Sequence, residues 1–240
     1  MNEVSSRSSD IQAFVDGQPS AFDIDRLELQ SARRALRLLK ERITPDQMDE
    51  LLAIDLESTD EKWREWAAAS DGAWNVAEVE FRVAGLSKNQ FSDWWSTALG
   101  DLHAVVYPAF PEHYRFGWVK DPRGVDDPCY IVVEELGHVP FRMYCSFDPS
   151  WAPVEPTPGY EPMMVGVGRL ADGTEVVRFM NQLMDTSEGF VMKVAVYVVS
   201  AVPEDVVQSH VEQELVEWTR WLEMATKAVR DKHDLATACP

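Results

Sequence analysis

The chain has 240 residues, 45% of them hydrophobic, with 22 Lys and Arg against 41 Asp and Glu and a net charge of −19. That length suits one domain, or one domain with an appendage, and the apolar fraction excludes global disorder. The acid excess excludes a protein built to neutralise nucleic-acid phosphates and disfavours an anionic membrane surface, and no apolar run approaches the roughly 18 residues of a membrane span.

Residues 1–20 are polar, with no basic start and apolar core, so they predict a loose tail and not a signal peptide. Cys129, Cys145 and Cys239 include no C-x-x-C pair. A disulfide framework is therefore not expected, and a reducing cytoplasm is the expected compartment.

Ile24, Leu27, Ala32, Ala35, Leu36 and Leu39 recur at helical spacing, with Arg33, Arg34 and Arg37 between them. Thr44-Pro45-Asp46 starts a second helix, since Thr caps and Pro suits the first position. Trp63 and Trp66 suggest a third short helix over 60–69. Residues 21–70 thus read as a helical segment.

The period then changes to two. Residues 76–83 alternate as a half-buried strand that Gly85 ends. Ser87 and Gln90 have the spacing of a capping box, and Phe91, Trp94, Trp95, Ala98, Leu99 and Leu102 follow at helical spacing. Strands are predicted over 114–120, 130–136 and 139–147. Residues 148–162 hold five of the fourteen prolines and read as a loop. Residues 163–170 and 175–184 form a hairpin about Asp172 and Gly173, and 190–200 is a further strand.

Residues 203–232 form a long helix, with an apolar stripe of Val207, Val211, Leu215, Trp218, Leu222, Ala225 and Val229. Glu212, Glu214, Glu217, Arg220 and Glu223 are expected largely off that stripe.

This order predicts an α+β fold in which a curved antiparallel sheet grips the C-terminal helix, preceded by the helical segment 21–70 and flanked by tails at 1–20 and 233–240. Residues 73–232 resemble the START-like, Bet v 1-like superfamily, also called SRPBCC or helix-grip. The resemblance is carried by the 76–83 strand, the run Gly85-Leu86-Ser87-Lys88-Asn89-Gln90-Phe91-Ser92-Asp93-Trp94-Trp95, and the closing helix. It implies a mostly apolar cavity between sheet and helix. Trp94, Trp95, Trp118, Tyr130, Tyr144, Met164, Met180, Met192 and Trp218 are the candidate lining; each is equally a candidate for plain core.

Chemistry-bearing residues are few. His113, Glu134, Glu135, His138 and His210 form the best set, because imidazole and carboxylate are zinc ligands. Of Glu134 and Glu135, adjacent on one strand, one must point inward. The stretch Tyr107-Pro108-Ala109-Phe110-Pro111-Glu112-His113-Tyr114 resembles the lead-in to a ligand histidine of the diacetylphloroglucinol and phloretin hydrolases, zinc-dependent enzymes of the same fold. That resemblance implies His113 as a ligand, and His210 too, since a histidine of the closing helix also ligates there; Glu134 joins them as a candidate ligand from the residue reading alone. The 190–200 strand holds no histidine at the place expected for another ligand.

Three functions follow. The first is a binding module for a small apolar or aromatic molecule, with no cofactor. The second is a zinc-dependent hydrolase or an aromatic polyketide cyclase on the same scaffold. The third is an interaction module whose N-terminal helices dock a partner or form a homodimer.

Overall fold

The computed structural model of the protein describes residues 14–15, 18–19, 23–98, 100–125 and 128–238. Most of the expected loose segment 1–20, together with Leu99 and Cys239, lies outside them. The described part of 1–20 is a small antiparallel ladder, β1 (Phe14–Val15) with β2 (Gln18–Pro19), which the polar composition did not announce.

Helix α1 (Ile24–Lys40) begins where the Asp23 carboxylate accepts the backbone N–H of Arg26 at 3.1 Å. Helix α2 (Pro45–Ala69) opens with a full capping box, Thr44 and Gln47 each bonding the other's backbone N–H. It absorbs the separate helix expected at 60–69. No Gly or Pro interrupts it, and Thr59 returns its hydroxyl to the Asp55 carbonyl at 2.8 Å instead of capping a new start.

Strand β3 (Trp74–Ala84) is followed by α3 (Lys88–Ala98), whose Ser87–Gln90 capping pair forms as the spacing implied. One π-helical turn over Leu102–Val106 leads into the short α4 (Tyr107–Ala109). Then come β4 (Arg115–Lys120), β5 (Pro128–Glu135), β6 (Pro140–Phe147), β7 (Glu161–Arg169), β8 (Glu175–Asp185) and β9 (Gly189–Val199). The chain closes with α5 (Glu204–Ala238), so its backbone stays helical past residue 232, where a tail was expected.

The large sheet has seven antiparallel strands in the order β3-β9-β8-β7-β6-β5-β4. Its first strand pairs with its last, and the remaining strands follow one another in sequence. Short helices fill the crossover between β3 and β4, and the long helix follows β9. This is the expected helix-grip arrangement, an antiparallel sheet followed by one long C-terminal helix.

Helix α2 lies against the outer face of β4, β5 and β6. Leu56 packs on Ile131 and Val133, Asp60 pairs with Arg142, and Asp49 pairs with Arg115. Register places Arg115, Val133 and Arg142 side by side, on the face opposite Val132 and Glu134. At the start of β6, Trp63 lies against Phe141 with ring centroids 4.5 Å apart.

Candidate functional site

The buried face of α5 changes character along its length. Its first part presents Ser209, His210, Gln213, Glu214 and Glu217, all buried; its later part presents Trp218, Trp221, Leu222 and Ala225. Two sequence expectations are corrected here. Glu214 and Glu217 face inward, and Leu215, placed on the apolar stripe, is 45% exposed. The inward positions recur in adjacent pairs every four residues, so the face runs one position ahead of the stripe drawn through Val211 and Leu215.

Opposite that polar stretch, β5 contributes Glu134, and the loop before β4 contributes His113, which is fully buried. The His113 ring is fixed by its Nδ1, which lies 2.7 Å from the Val106 carbonyl oxygen. Only an Nδ1–H can bond that acceptor, so Nε2 carries the lone pair. Nε2 points at two carboxylates, Glu217 Oε2 at 3.4 Å and Glu134 Oε2 at 3.7 Å. One ligand atom from each of His113, Glu134 and Glu217 falls within 4.8 Å of the others. Around the next turn of α5, His210 Nε2 stands 3.1 Å from Glu214 Oε1, and its Nδ1 is 3.1 Å from Gln213 Oε1.

Burial governs the protonation states. It pushes the Glu134 carboxyl up to about 8, assisted by the charge of Glu217. Glu217 is held well above its ordinary value by burial and by Glu214. Burial takes His113 down to about 4, so it is neutral. Burial also pulls on His210, but the Glu214 carboxylate beside it and the charge of Glu134 outweigh that pull and raise it to about 9. A single imidazolium thus faces three buried carboxyl groups. His113 Nε2 and Glu214 Oε2 have no hydrogen-bond partner. Unpartnered buried polar atoms are costly, and their clustering makes this the candidate site.

The loop that carries His113 is tied from outside. Lys40, the buried last residue of α1, donates to the carbonyls of Pro111 at 2.6 Å and His113 at 2.5 Å. Nothing in the sequence singled out this lysine.

Beside the polar cluster, a cavity of about 110 Å³ separates the sheet from α5. Glu134, His210, Glu214 and Glu217 form its polar side, and the rest is mainly apolar, including Phe116, Val132, Met143, Phe179 and Val196. Of the candidate lining residues, Trp95, Tyr130, Met164 and Trp218 border it. The structure places the other five elsewhere. Trp118 is 65% exposed. Tyr144 packs with Leu56 behind the sheet. Met180 alternates with the cavity-lining Phe179, so it faces away. Met192 and Trp94 belong to the packing around Phe91 and Phe190. Of the chemical set, His113 and Glu134 come together, with Glu217 in the place expected for His210, whose ring pairs instead with Glu214. Glu135 turns away to accept the His138 backbone N–H, and the His138 side chain is 81% exposed.

No family model matches the chain, and no curated protein matches it. Among solved structures, Ara h 8.0201 matches 65% of this chain and 99% of its own, at 11% identity and a TM-score of 0.44.

Sequence reasoning missed Glu214 and Glu217. The signal was present: His210, Glu214 and Glu217 stand at i, i+4 and i+7, which puts all three on one helix face.

Proposed function

We propose that this protein is a metal-dependent hydrolase acting on a small, mainly apolar or aromatic molecule held between the sheet and α5. The observation that carries the reading is the convergence of the free His113 Nε2 with the buried Glu134 and Glu217 carboxylates at the wall of an apolar cavity.

Once ionised, two carboxylates aimed at an imidazole lone pair repel one another, and burial magnifies the cost, so without a cation both groups are held protonated. A divalent cation among them removes the conflict. Nitrogen and oxygen donors of this kind suit zinc. His113 and Glu134 would hold the ion from the sheet side, and Glu217, with His210 and Glu214 beside it, from the helix side. The Nδ1 contact to the Val106 carbonyl oxygen is the outer support that histidine ligands commonly have. Bound zinc supplies Lewis acidity and a water that ionises near neutral pH. A carboxylate of the cluster that did not bind the ion would serve as a proton acceptor.

The apolar walls orient the substrate and exclude bulk water. An engineered apolar cavity of about 150 Å³ takes up benzene, so about 110 Å³ favours a single ring, with Met143 and Met164 adjusting around it. A plain binding module would use the same cavity, but it gains nothing from five buried ionisable groups, and these favour the metal reading.

The test is metal analysis of the purified full chain, with His113→Ala, Glu134→Gln and Glu217→Gln beside it. Stoichiometric zinc in the parent, lost in all three variants, supports the reading. Trace metal that is the same in all four preparations overturns it.

A further inference from the structure

A second concave site lies outside the cluster and has the opposite charge. The Arg33, Arg34, Arg37 and Lys40 side chains of α1 border a cleft of about 470 Å³, closed on its far side by His103, Tyr107, Pro108 and Pro111. In a chain of net charge −19, four cations gathered on one helix need an explanation.

Pairing among the described residues does not provide one. Arg33 donates to the Pro108 carbonyl at 3.1 Å, while its Nε is buried with no partner among the described residues. Burial lowers its pKa, and the charge of Arg220 lowers it further. Arg34 donates to the Ser31 hydroxyl at 2.9 Å. Lys40 donates to two backbone carbonyls and feels Glu112 only at longer range. Among the described residues, Arg37 alone of the four has a carboxylate within ion-pair distance, exposed Glu41 at 3.7 Å.

We propose that this cleft binds a small phosphate-bearing molecule. Guanidinium forks match phosphate oxygens two at a time, and several cations together call for a multiply charged group instead of a lone carboxylate. The volume is that of a small-molecule site and exceeds what an isolated ion needs. Arg33, Arg37 and Lys40 stand at i, i+4 and i+7 on α1, so one rigid helix face presents them together. The cleft shares Lys40 with the support of the His113 loop, but its other cations, Arg33, Arg34 and Arg37, are no part of the cluster, and the proposal stands or falls independently of the metal reading.

Calorimetric titration of the full chain at low salt tests it, with inorganic phosphate, pyrophosphate, a sugar monophosphate and citrate as probes. Saturable one-to-one binding of a phosphate probe is expected. The exposed pair Arg34→Ala with Arg37→Ala weakens it at least about tenfold, and Arg26→Ala, elsewhere on the same helix, leaves it unchanged. Preference for the sugar phosphate over inorganic phosphate identifies an ester as the ligand, and the reverse order identifies the free ion. Absence of saturable binding, equal binding of citrate, or equal loss in Arg26→Ala overturns the proposal.

Discussion

The Nε2 of His113 stands 3.4 Å from Oε2 of Glu217, one unprotonated nitrogen facing one buried carboxyl group. Without a cation, the contact is tolerable when the carboxyl holds a proton, and that requirement makes the metal-free protein sensitive to pH.

Stability of the metal-free protein should fall as pH rises from about 6.5 toward 8. Glu134, raised to about 8 by burial and by Glu217, keeps its proton in the native state over a range where the unfolded chain has lost it. His210, raised to about 9, does the same above the ordinary histidine value. Each raised group therefore loses its stabilising proton on the way up. Below about 6.5, His113, lowered to about 4, works in the opposite direction, because the unfolded chain binds the proton that the native state refuses. Each proton retained by the native state changes the slope by about 1.4 kcal/mol per pH unit. Urea unfolding at several pH values with a chelator present should show this decline. Glu134→Gln should flatten it by about one proton's worth, and saturating zinc should abolish it. An identical slope in Glu134→Gln would show that Glu134 holds no proton there.

Lys40 should set metal affinity without touching the ion. Its two hydrogen bonds fix the Pro111–His113 turn, and Lys40→Met leaves both carbonyls without that donor. Outer-shell losses of this kind typically weaken metal binding about 10- to 100-fold. Competition titration against a zinc chelator measures it. Unchanged affinity would mean that Phe110, the Val106 carbonyl contact and the strand alone hold His113 in place.

The order of elements was readable from periodicity because strands such as β3 keep one face outward and the helices keep a stripe. The capping residues Thr44 and Ser87 marked helix starts because their side chains have no better partners than the free N–H groups. His113 and Glu134 were readable as chemistry-bearing residues on or near apolar strands. The helix half of the cluster was not, because Glu214 and Glu217 on a charged helix look like ordinary solvated acids until the sheet opposite is known. Trp118 and Met192 show the converse: large apolar side chains signal burial or a patch, and sequence does not say which side of a two-faced strand holds the cavity.

The N-terminal helices should prove part of the same cooperative unit as the sheet. Trp63 is 1% exposed and lies against Phe141, and Leu56 closes a cluster with Ile131 and Val133. Trp63→Ala should cost about 3–5 kcal/mol, read from the urea midpoint with unchanged denaturant slope. A loss below about 1 kcal/mol would mean that α2 sits on the sheet without being needed by it.

Filling the cavity should block its occupant without disturbing the metal cluster. Val132 borders the space from β5, two residues before Glu134 and on the same face. Val132→Phe would occupy much of the about 110 Å³. The fold should persist, since overpacking typically costs about 1–3 kcal/mol and here an existing void receives most of the added volume. Phenol, a single ring with one polar handle, is the suitable probe. Its binding, followed by shifts in the protein's NMR spectrum, should be lost in Val132→Phe, while zinc content stays that of the parent. Phenol binding undiminished in the variant would place the apolar site elsewhere. Zinc lost together with phenol would mean that the ion and the ring share one space, and that Val132 sets the approach to both.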